Sequence, residues 1–181
     1  MSVPLPPGID RVIYTEEQVE ARIREVGAAI SARYKGRDLK LIGVLKGSVF
    51  FLTSLARAIE IPVKIDFLGI SSFSTQPSAP GQVRIAKDLD ESIEDEDVLL
   101  VEDIVDTGFT ANYLLRVLAG RSPNSLGICT LLDRTSRRIV QLPVEFRCFE
   151  IPDRFVVGFG LDYKQLYRNL GCIAVMNPES L

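Results

Sequence analysis

The stretch Val98-Leu-Leu-Val-Glu-Asp-Ile-Val-Asp-Thr-Gly-Phe-Thr110 constrains this chain more than any other. Val98–Val101 is a continuous apolar run without polar alternation. That is the pattern of a strand buried on both faces, which a parallel sheet covered by helices on both sides provides. Behind it a short loop carrying Thr, Gly and Thr opens a helical stretch, Thr110–Leu118, closed by Gly120.

The rest of the chain repeats this alternation. Thr15 followed by Gln18 is a capping-box pattern, and Val19, Ile23, Val26 and Ile30 recur at helical spacing until Gly36. Strands are expected at Leu39–Leu45, Val63–Ile70, Val83–Lys87, Leu126–Leu132, Val144–Phe149 and Cys172–Met176, with a further apolar segment at Phe155–Gly158. Helices are expected at Val49–Ile59, capped by Ser48, and at Tyr163–Leu170. The acidic run Asp88–Asp97 reads mostly as a solvated turn. Ser71–Gln82 is small, polar and broken by prolines; it reads as a loop of about a dozen residues, a length often used for lids. Strands alternating with helices imply an α/β fold with a largely parallel sheet, and no repeat or linker divides the chain, so residues 1–181 read as a single domain.

The most informative absence is histidine, of which there is none. A Ser-His-Asp triad, a His-ligated zinc and a His general base are excluded, leaving carboxylates, Lys, Tyr or Cys for acid–base work. Any metal is expected to be a hard cation on oxygen ligands. A net charge of −3 argues against binding nucleic acid or an anionic membrane through bulk electrostatics. Cys129, Cys148 and Cys172 are odd in number and lack CxxC spacing, so they read as buried free thiols in a reducing compartment. With no signal-peptide pattern and no apolar run near the ~18 residues of a membrane span, the expected location is cytoplasmic.

In an open α/β sheet, ligands bind at the carboxyl ends of the strands, where Glu102 and Asp103 are expected. Adjacent carboxylates there suit vicinal sugar hydroxyls, directly or through magnesium. The free N–H groups of the following helix start favour an anion, Thr107 and Thr110 add hydroxyl donors, and Gly108 permits close approach. Asp106 falls between sugar and phosphate groups, within reach of a bound base. The segment therefore suits a phosphorylated ribose. It has neither the GxxxxGK[ST] of a P-loop nor the Asp-x-Asp of an aspartyl-phosphate phosphatase.

Val-Glu-Asp-Ile-Val-Asp-Thr-Gly-Phe-Thr resembles the phosphoribosyl pyrophosphate motif of type I phosphoribosyltransferases, and its Glu-Asp pair is similar to that of the hypoxanthine-guanine branch. Leu45-Lys46-Gly47-Ser48, the loop around Ser72-Phe73, and Glu150–Tyr163 agree in order, so the resemblance covers roughly residues 10–176. It implies a mostly parallel twisted sheet flanked by helices, with a small hood built from N- and C-terminal segments. It also implies transfer of a 5-phosphoribosyl group from phosphoribosyl pyrophosphate to N9 of hypoxanthine or guanine in purine salvage. By the same resemblance, Lys46, Gly47, Glu102, Asp103, Ile104, Val105, Asp106, Thr107, Gly108, Phe109, Thr110 and Arg168 would bind the phosphoribosyl pyrophosphate or nucleotide. Asp106 would be the general acid/base at N7. Arg134, Phe155, Val156 and Asp162 would bind the purine, and Ser72 and Phe73 would belong to the lid. Glu102, Asp103 and Asp162 would hold Mg2+, and the assembly would be a homodimer or homotetramer without nucleic acid or membrane partners. Arg134 stands where the family has a lysine, which leaves the choice among hypoxanthine, guanine and xanthine open. Phe73 replaces a common tyrosine, and Phe109 a common Lys or Leu. An RNA-binding regulator on the same fold is the competing reading; it would call for a basic face, against which the net charge of −3 weighs.

Overall fold

The computed structural model of the chain describes residues 6–73 and 82–177. In order, the elements are β1 (Ile9–Tyr14), α1 (Glu16–Arg33), β2 (Leu39–Leu45), α2 (Ser48–Ala58), β3 (Val63–Phe73), β4 (Gln82–Lys87), β5 (Asp97–Val105), α3 (Phe109–Ala119), β6 (Ser125–Asp133), β7 (Val144–Glu150), β8 (Val156–Val157) and β9 (Ile173–Met176). Six strands form one sheet in the order β4-β3-β2-β5-β6-β7, and β1-β9-β8 form a second. Every pairing from β3 across to β7 is parallel; β4 alone is antiparallel. The fold class and the hood of terminal segments are as expected.

Burial follows the period of the central strand. Leu99 and Val101 point into the core shared with α1 and α2, whereas Val98 and Leu100 point into the core shared with α3. From β2 the chain steps outward to β3, then returns to β5 and steps the other way to β6 and β7. The β2–β5 boundary is therefore a topological switch point, where an open α/β sheet leaves a crevice at its carboxyl edge.

Several expectations need correction. Ser48 does not cap α2: the N-cap is Gly47, and the Ser48 hydroxyl donates to the Val44 carbonyl at 2.7 Å. Tyr163–Leu170 is not helical. Lys164, Gln165 and Tyr167 take positive φ, and the turns are held by the Gln165 N–H on Asp162 and by Arg168 Nη1 on the Gly160 carbonyl. The acidic run is more than a solvated turn, because Ile93 and Asp97 are buried and Glu96 pairs with the buried Lys40 at 2.9 Å. Strand β5 continues through Glu102 and Asp103 to Val105, so both carboxylates sit in the strand itself. Strand β1 had no recognised signal. Of the predicted loop Ser71–Gln82, the first residues extend β3 and Gln82 begins β4; 74–81 lie outside the described residues. Cys129 and Cys148 are buried free thiols, but Cys172 is partly exposed. No helix among the described residues is long and apolar enough to cross a membrane.

Candidate active site

A cleft of about 370 Å3 opens at the switch point. The ends of β2 and β5 form its floor, contributing Lys46, Gly47, Glu102 and Asp103; the loop Ile104–Gly108 and Thr110 form one wall, and Asp162 and Arg168 the other. Lys46 is exposed and follows a cis Leu45–Lys46 peptide. A Cβ on Gly47 would overlap the Asp103 carboxylate, so any larger residue there would force that side chain to move. A Cβ on Gly160, at φ 103°, would overlap the Gly47 carbonyl, so the hood segment rests backbone to backbone on the cleft floor.

At the loop, Gly108 takes φ 91° and is the N-cap of α3, with no side-chain cap bond. The N–H groups of the first turn are therefore left for an external acceptor, and the helix dipole favours an anion. Phe109 is exposed, with its ring outside the residues that line the cleft.

A second cleft of about 330 Å3 adjoins the first and shares Asp103, Ile104, Asp106 and Asp162 with it. Its remaining lining includes Arg134, Arg137, Phe155, Val156 and Leu161. Phe155 is 44% exposed and meets Tyr163 edge-on at 5.8 Å, so its ring faces the cleft mouth instead of packing the core. Arg134 is buried. Its Nη1 donates to Asp106 Oδ2 at 3.0 Å and its Nη2 to the Arg154 carbonyl at 2.7 Å. Arg137 lies 3.5 Å from the same Asp106 oxygen. Among the described residues, two atoms of this cluster are buried without a hydrogen-bond partner, Asp106 Oδ1 and Arg134 Nε.

The electrostatics single out the strand carboxylates. Burial, then the neighbouring Asp103, pushes Glu102 well above the usual carboxylate range. Burial raises Asp103 to about 6, against the N–H of Ile104 on its Oδ1 at 2.8 Å and the charge of Arg168. Among the described residues neither carboxylate has an ion-pair partner, whereas Asp162 is held by Arg168 at 2.7 Å. Glu102, Asp103 and Asp162 line one cleft, yet no three acidic or sulfur side chains among the described residues gather into a metal-binding cluster. A hard cation on Glu102 and Asp103 would need ligand oxygens or water to complete its shell, which is how Mg2+ is usually held.

All the predicted residues outside the lid and Phe109 thus line one or both clefts. Ser72 and Phe73 end β3, paired with Val83 and Gln82. Sequence reasoning missed Arg137, which lines the second cleft, and Tyr163, which meets the Phe155 ring. Arg137 lies in a stretch between two expected strands to which no role was given, and Tyr163 in an expected helix that does not form.

A family model described as phosphoribosyl transferase domain matches residues 12–164. The hypoxanthine-guanine phosphoribosyltransferase of Mycobacterium avium is 46% identical over 180 residues, covering 96% of this chain and 89% of the relative. The hypoxanthine phosphoribosyltransferase of Salmonella typhimurium is 48% identical over 161 residues, covering 88% and 90%. Among solved structures, a hypoxanthine phosphoribosyltransferase from Staphylococcus aureus superposes with a TM-score of 0.90 at 42% identity, over 95% of this chain and 94% of that one. A point mutant of the Trypanosoma cruzi hypoxanthine phosphoribosyltransferase, described as a ternary substrates complex, gives 0.90 at 40% identity, over 96% and 98%.

Proposed function

This chain belongs to the phosphoribosyl transferase domain family, and on that premise we propose that its two clefts receive the two substrates of a hypoxanthine-guanine phosphoribosyltransferase. Phosphoribosyl pyrophosphate occupies the first cleft and a 6-oxopurine the second. One observation carries the reading. On the Arg134–Asp106 pair, one donor (Nε) and one acceptor (Oδ1) are buried and open beside an aromatic face. A 6-oxopurine presents the complement, O6 to accept and N7–H to donate. A 6-aminopurine would set a donor against the guanidinium and leave it unsatisfied, which a buried site penalises.

In this reading Thr107, Gly108, Thr110 and the α3 N-terminus hold the 5′-phosphate, and Glu102 and Asp103 hold the ribose hydroxyls. Lys46, Gly47 and Arg168 face the pyrophosphate, with Arg168 exchanging Asp162 for the anion. Phe155 stacks on the purine and the Val156 main chain meets its edge. The N9 lone pair attacks the anomeric carbon as its bond to pyrophosphate breaks, and the leaving group takes the electron pair. The N7 proton passes to Asp106, and no histidine is required. The oxocarbenium-like state is served by positioning and by the nearby carboxylates. Mg2+ fits the carboxylate oxygens of Glu102 and Asp103, with Asp162 beside them, and when bound would neutralise the departing pyrophosphate. Both sheets build this one site, so the chain works as one unit, in the cytoplasm and in the dimer or tetramer that the resemblance implies.

The test is a panel of free bases with phosphoribosyl pyrophosphate and Mg2+, following pyrophosphate release. Turnover with hypoxanthine or guanine and none with adenine is expected; no turnover with any 6-oxopurine would sink the reading. Asp106→Asn is expected to lower kcat at least about a hundredfold while phosphoribosyl pyrophosphate affinity stays within a few fold.

A further inference from the structure

Three consecutive carbonyls at the end of β5 are all taken up by one short segment behind the loop. The Val105 carbonyl accepts from the Arg134 N–H at 2.9 Å and from Arg138 Nη2 at 3.4 Å. The Asp106 carbonyl accepts from Arg138 Nε at 3.0 Å. The Thr107 carbonyl accepts from the N–H groups of Ile139 at 2.9 Å and Val140 at 3.0 Å. In a planar trans peptide the N–H points opposite to the C=O. With these carbonyls turned back onto the brace, the N–H groups of Asp106, Thr107 and Gly108 turn forward. They join the uncapped first turn of α3 in a concavity suited to an anion.

Among the described residues Arg138 is the only side chain that supplies bonds to these carbonyls; the other donors are backbone. Its guanidinium is buried against the buried Asp133, which Arg147 also contacts at 3.2 Å. Its Cδ lies 3.1 Å from the point where a Cβ on Gly108 would sit. Arg138 lines neither cleft, so it does not touch a ligand there. We propose that Arg138 is a positioning residue for phosphate binding, holding the loop so that its N–H groups face the 5′-phosphate. This rests on the first cleft being the phosphoribosyl site.

The deciding measurement is a ratio within one protein: the dissociation constant of inosine over that of inosine 5′-monophosphate, by calorimetric titration. Arg138→Met keeps the packed stem and removes every donor; the ratio is expected to fall about tenfold with inosine itself little affected. In steady state the KM for phosphoribosyl pyrophosphate rises while that for the base stays within about twofold. Arg138→Lys keeps a cation against Asp133 but cannot span two carbonyls, and falls between. Because partial unfolding weakens both ligands alike, it cancels in the ratio. An unchanged ratio in both variants, or equal weakening of both ligands, overturns the proposal. If the unaltered protein does not prefer the monophosphate over the nucleoside, the phosphoribosyl reading of the cleft fails instead.

Discussion

Arg134 makes the contacts that define the second cleft, with Nη1 on Asp106, Nη2 on the Arg154 carbonyl and Nε open among the described residues. Methionine there keeps the aliphatic bulk and deletes every donor. Since a hydrogen bond to a charged group contributes about 1.5–3 kcal/mol, Arg134→Met is expected to raise the KM for hypoxanthine about ten- to a hundredfold. The KM for phosphoribosyl pyrophosphate should barely move, and varying each substrate in turn checks this. The family resemblance led to the expectation that Arg134 faces the base. Its ion pair with Asp106 was not legible, because the two residues meet only through the parallel pairing of β5 with β6. The cysteines show a similar gap: burial raises Cys129 far above the usual thiol range and Cys148 to about 12, while Cys172, raised less, is partly exposed. The thiolate is the reactive form, so a chromogenic thiol reagent at about pH 8 should titrate one cysteine in the native protein. In denaturant it should titrate all 3.

At the scale of elements, what depends on neighbouring residues was legible and what depends on distant pairing was not. The capping box of Thr15 and Gln18 starts α1 as read, and β2 spans Leu39–Leu45 as expected. β1 is a strand because β9 pairs with it from the far end of the chain, so no local pattern announces it. Phe159–Leu170 combines left-handed residues with bonds back to Gly158 and Gly160, a conformation that helical propensity does not encode. Gly160 is where that segment meets the cleft floor. Alanine there would carry a Cβ at φ 103° into the Gly47 carbonyl. Strain of order 1–3 kcal/mol, relieved by lifting Asp162 and Arg168 off the cleft, follows. Gly160→Ala is expected to lower both the melting temperature and kcat/KM for phosphoribosyl pyrophosphate, whereas Gly120→Ala, at φ −66°, should change neither. Thermal melts beside steady-state assays decide it, and wild-type activity in Gly160→Ala would contradict the contact.

Across the whole molecule, the two ends of the sheet respond to pH with opposite sign. At the amino end, burial works to raise Asp97, but hydrogen bonds from Ser125, Arg37 and Asn124 outweigh it and hold the carboxyl below its ordinary value. That contribution is present above the unfolded pKa of about 3.9 and is lost as pH falls through the native value. At the carboxyl end, burial raises Asp103 to about 6 and holds Glu102 well above its ordinary range. Between the unfolded and native values the folded chain there binds more protons than the unfolded one, so stability falls as pH rises. Without ligand, stability should therefore peak near pH 4, at the unfolded carboxylate value, and fall as pH rises from there to the native value of Asp103, about 6. Asp103→Asn removes the ionisation without removing the bulk. It should melt above the parent at about pH 8 and lose that advantage near pH 4. On the proposed function, a cation and phosphoribosyl pyrophosphate take the deprotonated carboxylates, so together they should raise the melting temperature more at about pH 8 than at about pH 5. A melting temperature that climbs steadily from pH 5 to pH 8 without ligand, and is indifferent to Asp103→Asn, would show that burial of the strand carboxylates does not govern the molecule's response to pH.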